Sequence, residues 1–405
     1  MGGSGTRSDH EGGSGRTLAQ RPGGGNTAGR LCYSRANFYF RPRPHEMIHV
    51  FIGTKAQLIK MAPIMRVLQD RGHDYNFIYS GQHRDTVDDI LANFAIQKQP
   101  DVTLYHGRDI TGIAQMGKWV IDIVRKYSSP SHKPELFRDD ANGIVLNHGD
   151  TFSTLLGSYL AKRHGLKSAH IESGLRSHNI LHPFPEELTR LATFRLSDYF
   201  FAPGEWALAN LLGYQGVKIN TGHNTLCDAL RHSAQANTPS RTGGYGLVSV
   251  HRFENIFFRK RLTQIVDMLI GSDPARPKLF ILHKPTEKKL KDYGLYDKLA
   301  ACSHIELHPR YDYFRFISLL RGSDYLVTDG GSNQEECSYL GLPCLLLRKA
   351  TERQEGLGHN TVLSNYDGKV VKDFMDAPEH YRRPPLNIAQ SPSELIVDSL
   401  QRFID

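Results

Sequence analysis

The sequence predicts an α/β protein built on two parallel sheets, each covered by helices on both faces. Three observations predict it. Short apolar runs rich in β-branched and aromatic residues recur along the chain, and they are continuous rather than alternating, as strands buried on both faces require. Helical patterns separate most of them. The cycle also repeats along most of a 405-residue chain, more than one sheet readily accommodates.

In order, "IHVFIG" precedes the helical pattern "LIKMAPIMRVLQDRG", and "YNFIYSG" precedes "HRDTVDDILANF". "GIVLNHGD" leads into "TFSTLLGSYLAKRHG", "KSAHIES" into "PEELTRLATFRLS", and "DYFFAP" into "EWALANLLGYQG". The strands resume with "GLVSVHR", "KLFILHKP", "HIELHP", "DYLVTDGG" and "PCLLLRK". The change from one sheet to the next falls near "VKINTGHNT", around residue 222.

Composition narrows the function classes. Hydrophobic residues at 39% and charged residues at 23% describe a globular chain, and no apolar run is long enough to span a bilayer. The five cysteines are scattered and never Cys-x-x-Cys, which argues against a disulfide framework or structural zinc and for a reducing, cytoplasmic compartment. His-Glu-x-x-His is absent, so no metal is expected. Residues 1–46 hold seven arginines against Asp9, Glu11 and Glu46, which is half of the net +8. The rest is ordinary in charge and has no basic block interleaved with aromatics, so neither nucleic acid nor membrane is expected as a partner. That Gly-, Ser- and Arg-rich segment reads as a flexible, dispensable tail, and Met47 would make a natural start.

In open α/β sheets chemistry collects outside the carboxyl ends of the strands. The polar residues there are Gly53-Thr54-Lys55, Gln82-His83-Arg84, His148-Gly149-Asp150, Glu172-Ser173-Gly174, His251-Arg252, His283 and Asp329-Gly330-Gly331-Ser332. "YLVTDGGSNQEECSYLG" reads as strand, glycine turn and helix. Gly330 and Gly331 let the backbone approach a ligand, Ser332 is the expected N-cap, and the free N–H groups with the helix dipole suit an anion. Glu336 would face ribose hydroxyls, and Arg348, Lys349 and Arg353 follow the next strand. An ordinary βα turn reads the same way, and the pattern is neither Gly-x-Gly-x-x-Gly nor a P-loop. "HIESGLRSHNILHPFPEELTR" crowds three glutamates, two arginines and three histidines into one junction. A solvated loop is the plain reading of such a cluster.

Taken together, "GTKAQLIKMAPIMRVL", "GQHRD", "NHGDT", "HIESGLRS", "PFPEELTR", "TGHNTLCDAL", "VHRFEN", "TDGGSNQEE", "LGLPCLLLR" and "TERQEG" resemble the non-hydrolysing UDP-N-acetylglucosamine 2-epimerase family. The resemblance runs from residue 47 to about residue 357. It implies a glycosyltransferase-B-type fold, two Rossmann-like domains with a UDP-sugar in the cleft between them. It assigns residues 47–221 to the first domain and 222–390 to the second, with the helix in 391–405 returning to the first. It also implies a homodimer, and neither NAD nor another cofactor.

The implied reaction eliminates UDP across C1–C2 to a 2-acetamidoglucal and re-adds it with C2 inverted. Asp150, Glu172 and Glu186 match the family's catalytic carboxylates, and His251 matches the histidine at the diphosphate. Lys55, Lys60, Arg176, Arg190, Arg252, Gly330, Gly331, Ser332, Glu336 and Arg353 would bind substrate. Arg190 is also expected to pair with Glu186 one turn earlier. Gln82, His83, Arg84 and His283 match regions where bacterial relatives bind a second substrate molecule as activator. Departures from the family pattern are Lys55 in place of arginine, Gly330-Gly331-Ser332 in place of Ser-Gly-Gly, Phe253 in place of arginine, and His223 as an extra residue. Competing readings are a hydrolysing 2-epimerase releasing N-acetylmannosamine, a glycosyltransferase of the same architecture, and a non-catalytic nucleotide-sugar sensor.

Overall fold

The computed structural model describes residues 46–82, 87–107, 110, 112–179, 185–236 and 241–404. The tail expected in residues 1–46 therefore lies, Glu46 apart, outside the described residues, as do His83, Arg84 and residues 180–184 of the charged junction.

Among the described residues, the first sheet holds seven strands: β1 (Ile48–Ile52), β2 (Tyr75–Tyr79), β3 (Val102–Thr103), β4 (Ile144–His148), β5 (Lys167–Ile171), β6 (Tyr199–Ala202) and β7 (Val217–Asn220), in the order 3-2-1-4-5-6-7. The second holds six: β8 (Gly246–Ser249), β9 (Lys278–Leu282), β10 (Ile305–Pro309), β11 (Tyr325–Thr328), β12 (Cys344–Leu346) and β13 (Thr361–Leu363), in the order 10-9-8-11-12-13. Every paired strand is parallel to its neighbour. Burial follows position. The central strands β1, β4 and β11 are buried throughout, whereas the edge strands β3, β7 and β10 are largely half-exposed. Continuous apolar runs are thus what a strand covered on both faces needs.

Strand order reverses between β1 and β4 in one sheet and between β8 and β11 in the other. Side chains leaving the carboxyl ends at such a switch point border a crevice that no crossover fills. The segments after these four strands are 53–55, 149–151, 250–252 and 329–331, and they carry Thr54, Lys55, Asp150, His251, Arg252 and Asp329 of the polar residues singled out from the sequence.

Helix α1 (Lys55–Asp70) begins one turn earlier than its apolar pattern suggests, because Thr54 caps it. The Thr54 hydroxyl accepts from the Gln57 N–H, while the Gln57 side chain accepts from the Gly53 and Thr54 N–H groups. Gln57 Nε2 also donates to the His148 carbonyl at 2.7 Å and to Thr154 Oγ1 at 2.9 Å, tying this turn to α2 (Phe152–Arg163). Gly53 has no alternative here, since a Cβ would stand 1.9 Å from Ser153 Oγ. Helix α3 (Glu186–Leu196) follows the charged junction, and α4 (Leu226–Ala236) links the two sheets. Leu226, Ala229 and Leu230 join one apolar core to which both sheets contribute. Helix α5 (Gly331–Leu340) follows β11, and α6 (Pro392–Ile404) returns against α1, where Arg71 pairs with Asp398 and Tyr199 stacks on Phe403. No helix among the described residues is long and apolar enough to cross a membrane.

Candidate active site

Glu172 stands immediately after β5 with φ +61°, a left-handed conformation that a non-glycine residue adopts only at a cost. Three donors converge on its Oε1: Lys60 Nζ at 2.5 Å, Arg353 Nη2 and Asn224 Nδ2. Burial alone would raise its pKa. The charges of Lys60 and Arg353, the largest of the opposing influences, outweigh that and hold it well below the ordinary carboxylate value. Lys60 comes from α1 and Arg353 from the segment after β12, so the two sheets meet at this carboxylate.

Asp150 follows β4 and accepts a hydrogen bond from Arg190 Nη2, on α3. Glu186 opens α3. Its Oε2 is buried without a hydrogen-bond partner, and burial followed by the charge of Asp150 raises its pKa. The next residue is its opposite. Glu187 is fully buried and accepts from Arg176 Nε at 2.5 Å, from the Ser177 N–H at 3.1 Å and from Arg190 Nη1 at 3.3 Å. Arg190 was expected to pair with Glu186. It pairs instead with Glu187 and Asp150, because the helix points successive side chains about a quarter-turn apart.

On the second sheet, Asp329 organises the turn after β8. It accepts from the backbone N–H groups of His251 and Arg252 and from Asn255 Nδ2 at 2.9–3.1 Å. The His251 ring stacks on His283 with centroids 4.5 Å apart, and desolvation lowers its pKa against the pull of Asp329. His283 is lowered to about 3, by burial and then by His251, Arg310 and Lys55. Burial and Arg310 bring Lys55 down to about 8, and it has no ion-pair partner among the described residues. Gln82 is buried and accepts from Ser153 Oγ at 2.7 Å.

The glycine turn departs from the expected cap. Gly330 is the N-cap of α5, without a side-chain hydrogen bond, and Ser332 lies within the first turn. The turn is tight: a Cβ on Gly330 would meet Asn333 Oδ1 at 2.7 Å and His251 Cε1 at 3.2 Å. The helix therefore opens on bare N–H groups beside His251, an arrangement suited to an anion. Glu336 is buried, accepts from Asn333 Nδ2 at 2.8 Å, and is pushed up to about 7 by burial, with its neighbour Glu335 adding to the shift. Arg252 approaches Glu352 at 3.8 Å, and Arg348 pairs with the same carboxylate at 3.1 Å.

Asp150, Glu172, Glu186, Lys60, Arg190 and Arg353 are thus linked by contacts or by charge, while Arg176 is reached only through Glu187. Sequence reasoning missed Glu187, Glu335, Asn224 and Gln57 as site-builders. The adjacent acids in "PEELTR" and "NQEEC" were the signal for the first two. A recess of about 850 Å³, lined by Lys162, Lys167, Arg195 and Asp198, opens at the amino ends of β5–β7, opposite from this chemistry.

A family model for UDP-N-acetylglucosamine 2-epimerase matches residues 66–382. The UDP-N-acetylglucosamine 2-epimerase of Methanocaldococcus jannaschii is 32% identical over 343 residues, covering 80% of this chain and 90% of that protein. That of Bacillus subtilis is 30% identical over 360 residues, covering 82% and 87%. A crystal structure of the M. jannaschii enzyme in complex with UDP-GlcNAc and UDP aligns with a TM-score of 0.74 at 28% identity, covering 88% of this chain and 99% of that one. The fold is accordingly of glycosyltransferase-B type, as the resemblance implied. With more than half its length matched by the family model and relatives of this identity over most of it, the chain belongs to the UDP-N-acetylglucosamine 2-epimerase family.

Proposed function

We propose that this protein is an isomerase that inverts C2 of UDP-N-acetylglucosamine without hydrolysing it. A base removes the C2 proton, the C1–O bond to the β-phosphate breaks, and UDP departs with the electron pair to leave a 2-acetamidoglucal. UDP oxygen then returns to C1 and a proton is delivered to the other face of C2. The observation that carries this reading is the Asp150–Glu186 pair. Burial and then the charge of Asp150, which is itself hydrogen-bonded to Arg190, raise the pKa of Glu186, whose Oε2 is buried without a hydrogen-bond partner. A carboxyl of raised proton affinity beside an arginine-bound carboxylate suits proton transfer in both directions. Glu172, saturated with cations, supplies fixed negative charge beside them.

In this reading residues 47–221, completed by 391–405, form the lobe bearing the carboxylates, and residues 222–390 form the lobe that binds nucleotide. The diphosphate sits against Gly330, Gly331, Ser332 and His251, with Lys55 and Arg252 alongside, and Glu336 receives the ribose hydroxyls. Gln82 and His283, with His83 and Arg84 of the same motif outside the described residues, form the activator region. The enzyme acts in the cytoplasm as a homodimer and supplies a nucleotide sugar for polysaccharide synthesis.

The test is proton NMR of the purified protein with UDP-N-acetylglucosamine in deuterium oxide. Deuterium at C2 of a UDP-linked manno product supports the proposal. Free N-acetylmannosamine with UDP would mean hydrolysis, and turnover without C2 exchange would mean transferase chemistry.

A further inference from the structure

Arg353 follows β12 in the segment expected to hold phosphate, yet its guanidinium is occupied. Nη2 donates to Glu172, and Nη1 lies 2.7 Å from Glu335 Oε2, an ion pair outside hydrogen-bond alignment. Glu355 Oε1 is 3.5 Å from the same Nη1. Arg353 is only 5% exposed, so a ligand would have to displace carboxylates to reach it. Glu335 is fully buried on α5, accepts from Tyr339 OH at 2.9 Å, and stands 3.6 Å from Lys60 Nζ. Both cations that serve Glu172 are therefore held from behind by one carboxylate.

We propose that Arg353 is a positioning residue rather than a phosphate ligand: it fixes the Glu172 carboxylate as an anion, and Glu335 holds it there. The proposal deepens the epimerase reading and rests on it for the role of Glu172. The groups facing Glu172 come from every surrounding element. They are Lys60 on α1, His148 on β4, His170 on β5, Arg190 on α3, Asn224 before α4, and Arg353, with Glu335 and Glu355 behind. His148 and His170 are lowered to about 3 and about 4, by burial first, and so are neutral near pH 7. That leaves Lys60 and Arg353 as the cations in direct contact. Losing one should free the Glu172 carboxylate to rotate and to take up a proton.

The experiment compares Arg353→Met, Arg353→Lys and Glu335→Gln by UDP calorimetry, steady-state kinetics across pH, and carbon-13 NMR titration of glutamate carboxyls, with Glu172 identified from the spectrum of Glu172→Gln. The proposal expects Arg353→Met to bind UDP within about threefold of wild type. Its kcat should fall by at least about 30-fold with KM little changed. Its Glu172 carboxyl should titrate at higher pH, moving the acid limb of kcat upward. Arg353→Lys should restore part of each effect, and Glu335→Gln should lower kcat while sparing UDP affinity. A tenfold or greater loss of UDP affinity in Arg353→Met with kcat retained would make Arg353 a phosphate ligand and overturn the proposal. An unmoved Glu172 titration in both Arg353→Lys and Arg353→Met would overturn it as well. Should Arg353→Met fail to fold, Arg353→Lys and Glu335→Gln decide by the same readings. The titration needs no turnover, so failure of the epimerase reading leaves it standing as a separate result.

Discussion

Glu186 and Glu187 are neighbours on the first turn of one helix, and they live in opposite environments. Glu187 is fully buried beneath Arg176, Arg190 and the Ser177 N–H, which outweigh burial and lower its pKa. Glu186 has an unpaired buried oxygen and a pKa raised by burial and by Asp150. The pair on α5 repeats the division. Glu335 is held by Arg353, Lys60 and Tyr339, whereas Glu336 has Asn333 as its hydrogen-bonding neighbour and rises to about 7. In each pair one carboxylate braces cations, while burial raises the pKa of the other. Burial alone does not separate these roles. The distribution of arginine and lysine does.

The largest expected effect lies on the chemical member of the first pair. Glu186→Gln should lower turnover by about 10²–10⁴-fold, and Asp150→Asn and Glu172→Gln should fall in the same range, while UDP binding is retained. Single-turnover kinetics beside UDP calorimetry check this. Near-normal turnover in all three would remove the distinction between bracing and reacting carboxylates.

Glu187→Ala should act through the fold, since it leaves Arg176 and Arg190 without their shared buried partner. Breaking a buried ion pair from one side typically costs about 3–5 kcal/mol. Urea denaturation should show that loss for Glu187→Ala and a far smaller one for Glu186→Gln. Equal losses would mean that the two positions do not differ as described.

Glu336→Ala comes next. A hydrogen bond to a charged group contributes about 1.5–3 kcal/mol, so UDP affinity should fall by roughly 10–100-fold if Glu336 receives the ribose. An unchanged dissociation constant would place the ribose elsewhere.

The smallest effect is on stability against pH. The folded pKa of Glu336 is raised above its ordinary value of 4.5 to about 7, and Glu355 behaves alike. The associated stability is fully present below the ordinary carboxylate range and is lost as pH rises towards 7, because the unfolded chain ionises first. The melting temperature of Glu336→Gln relative to wild type should therefore rise between about pH 5 and pH 7. A variant with the wild-type slope would show that Glu336 ionises normally.

Sequence and structure divide the account unevenly. The continuous apolar runs determined where ten of the thirteen described strands fall, while the partly exposed edge strands β3, β7 and β13 carry no such run. Strand ends then drew attention to Asp150, Glu172, His251 and the glycine turn, because ligands collect at carboxyl ends. The sequence could not say that Ser332 would lie inside the helix rather than cap it, a matter of where β11 delivers the backbone. Nor could it tell Glu186 from Glu187 or Glu335 from Glu336, which share a residue type and a helix turn. Only the tertiary structure decided that, by bringing Arg176 from the loop after β5 and Arg353 from beyond β12 to one member of each pair. A carboxylate's role follows from the charges around it, and those arrive from distant parts of the chain.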